Sequence, residues 1–277
     1  MDLTIVIVSF KSGEILHRCL ESIDKDLPII VIENSIDNNF KIELEAKYKN
    51  VKCFLPEQNL GYGAGNNLGI NLAKSNYVLI LNPDTILYEN TISNLMYQAD
   101  LIKDFAIIGP KIVENDIQAK LKDKIDFQSV EYIKGFAILF NKKKFSDQKY
   151  FDENFFLYFE EIDLCKRIIT SGDKIYIINN APIKHLGGKS HQEKFNFEME
   201  LSRNWHWMWS TFYYFKKNYS FVYALKKIFK NFISSFLRVI FYFIIFNSKK
   251  RKIYYQRLSG IFNAICGKKS WYRPKIK

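Results

Sequence analysis

The sequence predicts an α/β domain, a mainly parallel sheet with helices on both faces, followed by a helical extension that is basic and aromatic. Three observations predict it. Short continuous apolar runs such as Leu3–Ser9 and Tyr77–Leu81 alternate with helical patterns, which is how strands buried on both faces read. Charge divides the 277 residues: 1–200 carry 24 basic and 29 acidic side chains, whereas 201–277 carry 17 basic and none acidic. The latter segment also holds 22 aromatic residues, including all four Trp. Apolar content of 48% with 25% charged residues excludes wholesale disorder.

Taken in order, Leu3–Ser9 reads as the first strand, with Ser12 as N-cap of a helix reaching residue 23. Residues 28–32 and 51–55 read as further strands, and 61–75 as a glycine-rich turn entering a helix. Tyr77–Leu81 is a fourth strand that stops at Asn82-Pro83-Asp84. Strands are expected at 106–113, 132–140 and 174–178, and a helix at Glu160–Thr170 that Ser171-Gly172 terminates. From residue 196 the pattern is helical, so the expected division is a domain of residues 1–195 and an extension of 196–277.

The four cysteines, Cys19, Cys53, Cys165 and Cys266, form no CxxC pair, which argues against a zinc site or disulfide framework and for a cytosolic setting. The N-terminal apolar run lacks a basic flank and a small-residue cleavage site, so it reads as a strand rather than a signal peptide.

In an open α/β sheet, ligands bind beyond the carboxyl ends of the strands. There the sequence places Ser9, then Glu33-Asn34-Ser35-Ile36-Asp37, then Asn82-Pro83-Asp84. Acidic groups at that edge suit a hard divalent cation holding a diphosphate. Asn82-Pro83-Asp84 is also compatible with an ordinary Asx turn. Gly61-Tyr62-Gly63-Ala64-Gly65-Asn66-Asn67-Leu68-Gly69 either lets a phosphate approach the backbone or packs a helix tightly. It lacks the third glycine of the dinucleotide fingerprint, which disfavours a nicotinamide-linked oxidoreductase. Glu160, Glu161 and Asp163 open a helix behind an aromatic run, as dipole compensation or as a desolvated general base. His185, in His185-Leu186-Gly187-Gly188-Lys189-Ser190, is a loop residue or a metal ligand, and Lys189 could meet phosphate.

In this order and spacing, these segments resemble the family 2 glycosyltransferases, over about residues 3–190, and within them the bacterial rhamnosyltransferase-like branch. The resemblance implies a GT-A fold with a Rossmann-like mixed sheet, a nucleotide-sugar donor, Mg2+ or Mn2+, and inversion at the anomeric carbon. Asn82-Pro83-Asp84 stands where the family has Asp-x-Asp, which makes Asp84 the metal ligand. Glu33 stands at the position that contacts the nucleotide base, and Asn59, Gly61, Gly65 and Asn67 lie in the segment near the nucleotide. Gly135 matches the small residue flanking the donor sugar, and His185 a position that completes the metal and diphosphate shell. Glu160-Glu161 matches Glu-Asp, with Glu161 as the general base and Asp163 as its rival. The branch suggests rhamnose from dTDP-rhamnose, with UDP-sugars close behind, moved to a glycan or lipid-linked acceptor in cell-surface polysaccharide synthesis.

Residues 201–277 interleave Lys226, Lys227, Lys230 and Arg238 with bulky apolar residues at helical spacing, and Lys249-Lys250-Arg251-Lys252 follow an apolar run. No run is long enough to span a bilayer. The expected partner is an anionic membrane surface on the cytoplasmic side, with Trp205, Trp207, Trp209 and Trp271 at headgroup level. The alternative is a helical cap on the catalytic body. The interleaving and the absence of a nucleic-acid motif argue against nucleic acid as the partner. A module that binds nucleotide sugar without catalysis is disfavoured by the retained carboxylates.

Overall fold

The structure, a computed structural model, describes residues 1–113, 127–145, 149–187 and 192–276. It divides into two compact units, one of Met1–Asp152 with Glu161–Gln192 and one of Glu153–Glu160 with Glu193–Lys277.

The first unit is built on one nine-stranded sheet. Strands β1 (Leu3–Ser9), β2 (Ile29–Glu33), β3 (Val51–Phe54) and β4 (Tyr77–Leu81) form a parallel half in the order β3-β2-β1-β4. Between them run helices α1 (Glu14–Glu21), α2 (Asn38–Lys47) and α3 (Gly61–Leu72). Side chains of a strand alternate between faces, and here both faces are dry. Ile5, Ile7, Val31 and Leu79 enter one buried cluster, and Val6, Ile30, Ile32, Val78 and Ile80 the other. That is why these strands read as unbroken apolar runs.

The other half makes the sheet mixed, as the GT-A resemblance implies. Strand β5 (Thr85–Leu87) leads into helix α4 (Thr91–Ile102), followed by β6 (Ile107–Ile112), β7 (Phe127–Ser129), β8 (Ala137–Asn141), helix α5 (Glu160–Thr170) and β9 (Ile175–His185). The sheet continues β4-β8-β6-β9-β5, with β7 also on β9, and β8 runs antiparallel to both β4 and β6. A parallel partner needs a long crossover, usually a helix; β5 reaches the sheet straight from the turn after β4, and its pairing with β9 is antiparallel.

Ser12 does not cap α1. Its Oγ accepts from the Phe10 amide at 3.3 Å, and the helix starts beyond Gly13, whose φ of +49° suits glycine. Helix α5 has the expected bounds, and Gly172, at φ +84°, closes it while its N–H donates to Ile169 O at 3.1 Å.

The second unit packs three helices, α6 (Asn196–Asn218), α7 (Phe221–Ile244) and α8 (Ser248–Ile265), around Trp205, Met208, Phe212, Ile228 and Ile261. Gly260 admits the backbone of α6: a Cβ there would lie 2.3 Å from Trp205 O. The expectation that all four Trp lie at a membrane surface is corrected. Trp205 and Trp209 are buried in this core, where their indole N–H groups donate to Ser259 Oγ and Lys268 O, while Trp207 and Trp271 are 45% and 54% exposed. Segment Glu153–Glu160 belongs to this unit: Phe156 stacks on His206 at 4.5 Å, and Ser210 Oγ donates to Leu157 O at 2.8 Å. Among the described residues, no helix is long and apolar enough to cross a membrane.

Candidate active site

The carboxyl ends of β1, β2 and β4 bring the first group of polar residues to one edge. Ser9 and Glu33 are register partners, and the Asn34 amide donates to Ser9 O at 2.8 Å. Glu33 Oε1 accepts from the Ser35 amide at 2.8 Å and from the Ser35 hydroxyl. Ser35 Oγ also accepts from the Lys11 amide at 3.2 Å. Lys11 and Ile36 hold left-handed φ values of 52° and 58°, strain of the kind that accumulates at ligand sites. Among the described residues, the buried Glu33 Oε2 and Ser9 Oγ have no hydrogen-bond partner.

Asp84 and His185 form the second group. Thr85 and His185 are register partners in the antiparallel β5–β9 pair, and the Leu186 amide donates to Asp84 O at 3.0 Å. This pairing sets His185 Nε2 3.3 Å from Asp84 Oδ1. Asp84 is buried, and apart from this contact with each other neither Oδ1 nor Nε2 has a partner among the described residues. An acidic oxygen and an imidazole nitrogen that converge while unsatisfied fit two ligands of a divalent cation. No cluster of three such ligands occurs among the described residues. The buried Cys19 thiol beside them is pushed up to about 12 by burial and then by the Asp84 charge. Asn82 contributes through its backbone: its amide donates to Phe136 O at 2.8 Å.

The third group centres on Glu161. Tyr132 Oη donates to Glu161 Oε1 at 3.2 Å, and burial raises the carboxyl above its ordinary range. Gly135 lies against it: a Cβ there would sit 3.4 Å from Glu161 Cβ and 3.2 Å from Tyr62 Oη, which itself donates to Gly135 O. The next residue, Phe136, stacks on His185 with centroids 4.3 Å apart. Two adjacent residues thus touch Glu161 and the Asp84–His185 pair respectively.

Asp163, Asn67 and Gly65 also make contacts within the first unit. Asp163 is fully buried and pairs with Arg167 Nε at 3.1 Å; Arg167 also donates to Tyr150 O and Lys149 O. Glu160 is buried within the second unit. Both amide atoms of Asn67 bond the Phe151 backbone, at 2.9 Å each. At Gly65 a Cβ would meet Val8 at 3.0 Å, and at Gly69 it would meet Val6 at 2.3 Å. The spacing of Gly65 and Gly69 therefore seats α3 on β1, and for these two the tight-packing alternative holds. Gly61 keeps a positive φ of 79°, and its amide donates to Asn59 Oδ1 at 3.0 Å. Lys189 lies outside the described residues.

Asn34, which the sequence places at this edge without a role of its own, follows Glu33 directly. Its side chain donates to Gly61 O at 3.0 Å and accepts from the Leu60 amide at 3.2 Å, tying the glycine segment to the end of β2. Sequence reasoning missed Tyr62, Tyr132 and Phe136; an aromatic residue inside a glycine turn or beside a strand carries no local sign of what it will touch.

A family profile described as Glycosyl transferase family 2 matches residues 4–164, more than half of the chain. The chain belongs to glycosyltransferase family 2. This glycosyltransferase is 24% identical to the Escherichia coli rhamnosyltransferase WbbL over 76% of its own length and 91% of the relative's. It is 25% identical to the Haloferax volcanii low-salt glycan biosynthesis hexosyltransferase Agl10 over 60% of its length, and the match spans 61% of that protein. Its structure is similar to that of S. aureus TarS 1–349 in complex with UDP-GlcNAc, with a TM-score of 0.55, 12% identity, and 99% and 93% of the two chains covered. The fold of the glycosyltransferase is accordingly GT-A, with a helical C-terminal extension.

Proposed function

We propose that the glycosyltransferase is a metal-dependent, inverting enzyme that moves a sugar from a nucleotide-sugar donor to a hydroxyl of a glycan or lipid-linked acceptor in cell-surface polysaccharide synthesis. The observation that carries this reading is the Gly135-Phe136 step, which ties the raised carboxyl of Glu161 to the unsatisfied Asp84–His185 pair. Glu161 takes the proton of the acceptor hydroxyl as its oxygen bonds the anomeric carbon, and the bond to the nucleoside diphosphate breaks with its electron pair on phosphate. Asp163, bound to Arg167, positions the helix rather than the proton. Mg2+ or Mn2+ held by Asp84 and His185 would offset charge on the departing diphosphate. Glu33 and Ser9, joined through Asn34 to Gly61 and Asn59, would contact the nucleotide. Rhamnose from dTDP-rhamnose is the preferred donor, on the strength of the WbbL relative; the TarS complex supports a nucleotide-sugar ligand and keeps UDP-sugars as the second choice. Incubation with a panel of sugar nucleotides, with and without metal, tests the reading. Nucleotide release from one donor only in the presence of metal is expected; release from none counts against it.

The same reading places the enzyme on the cytoplasmic membrane face through residues 201–277, with no nucleic acid partner. Much of the surface of α7 is apolar and exposed, including Phe229, Phe236, Leu237, Phe241 and Phe243, and Phe246 just beyond it is 92% exposed. Lys249, Lys250, Arg251 and Lys252 follow at once. An apolar face beside cations suits an in-plane helix on anionic lipid.

A further inference from the structure

The seam between α7 and α8 gathers positive charge around one aromatic ring. The guanidinium of Arg238 lies 5.0 Å from the centroid of Tyr254 and that of Arg257 5.8 Å from the same centroid. Arg238 also donates to Tyr254 Oη at 2.9 Å. No Asp or Glu occurs in residues 201–277 to balance the pair. Arg257 is half-buried, its Nε has no hydrogen-bond partner among the described residues, and its other contacts are long: 3.4 Å to Asn231 Oδ1 and 4.0 Å to Met208 Sδ. Ser235, four residues after Asn231 and three before Arg238, shares their helix face; it is buried, and its Oγ has no partner among the described residues. Burial and the charge of Arg238 both push the Arg257 guanidinium below its usual range.

Two like charges around one ring, with buried donors unmet, are costly unless an anion enters. Guanidinium forks fit the oxygens of phosphate in two-point contacts. The groove beside Arg238 is lined by Phe229, Lys230, Ile233, Ser234 and Leu237, so apolar surface rimmed by cations adjoins the charge pair. A free phosphate has no use for that groove, whereas an acyl chain does.

We infer that Arg238 and Arg257 form a binding site for the phosphate of an anionic lipid, with the acyl portion along the α7 groove. The site rests on the membrane reading above and names the chemistry that the helical unit recognises. Two charge-conserving variants, Arg238→Lys and Arg257→Lys, isolate geometry from net charge. The full-length protein and each variant are titrated with mixed phosphatidylcholine–phosphatidylglycerol vesicles and with pure phosphatidylcholine vesicles. Wild type should bind the mixed vesicles and not the pure ones, and Arg238→Lys should weaken binding about tenfold because the lysine lacks the fork. Arg238 is exposed, so its substitution leaves the fold intact, which melting curves check if Arg257→Lys is unstable. Unchanged binding by Arg238→Lys overturns the site while leaving membrane association standing. Thermal stabilisation of wild type by inorganic phosphate without any vesicle binding overturns lipid as the source. Nucleotide release from a sugar nucleotide in the absence of vesicles reads the donor site separately.

Discussion

His185 Nε2 and Asp84 Oδ1 face each other at 3.3 Å because Thr85 and His185 are partners in an antiparallel strand pair. Hydrogen bonds of the sheet, rather than a flexible loop, set this distance, so the two groups are preorganised. Asp84→Ala is expected to lower transfer by about 100-fold and His185→Ala by about 10-fold, the scale on which metal-shell groups act. Donor affinity measured calorimetrically with and without a chelator checks this. Metal should tighten donor binding for wild type and have no effect for Asp84→Ala.

Gly135 is expected to be intolerant of substitution. A Cβ at this position approaches Tyr62 Oη at 3.2 Å and Glu161 Cβ at 3.4 Å, so Gly135→Ala must displace the carboxylate or the tyrosine. The overpacking costs about 1–3 kcal/mol. A fall in turnover larger than the loss of thermal stability would accompany displacement of Glu161. Tyr62→Phe removes the hydroxyl and should partly rescue Gly135→Ala when the two are combined.

Burial raises the Glu161 carboxyl above its ordinary range. The sign for stability follows: the folded protein holds this proton to higher pH than the unfolded chain does, so folding is disfavoured as pH rises through that interval. Glu161→Gln should therefore melt at a higher temperature than wild type at neutral pH, and the difference should vanish in acid below the ordinary carboxyl range. For wild type, the acid limb of kcat/KM should lie above that range as well.

His206 behaves in the opposite sense. Burial takes its imidazole down from 6.5 to about 3, while its ring nitrogens contact Tyr272 O at 2.8 Å and Ser270 Oγ at 3.0 Å. The unfolded chain takes up the proton first, so the stabilisation is complete above 6.5 and declines as pH falls toward 3. Melting temperatures from about pH 7 to about pH 4 should fall more steeply for wild type than for His206→Asn.

Much of the fold was legible because its signals are local. Residues 5–8 and the run Tyr77–Leu81 are apolar throughout, and helix Glu160–Thr170 is stopped by a glycine. The pairing that creates the site was not. Strand β5 has three residues, and β9 continues through Asn179, Asn180 and Pro182, residues with low strand propensity that are held there by their neighbours. Asp84 and His185 could be named from motif spacing, but their contact depends on that long-range register. Similarly, Gly65 and Gly69 look alike as phosphate cradle or packing stripe until Val6 and Val8 are seen against them. Of the four tryptophans, composition indicated an aromatic surface, whereas helix phase buried Trp205 and Trp209.

The most direct test of the account is sugar transfer by Glu161→Gln. With a radiolabelled donor identified from the panel and cell-envelope lipid extract as the acceptor source, wild type should label the acceptor. Glu161→Gln should bind donor with wild-type affinity and transfer it at least about 1,000-fold more slowly, in the range of a lost general base. Transfer by Glu161→Gln at the wild-type rate would contradict the assignment of the base and the chemistry built on it.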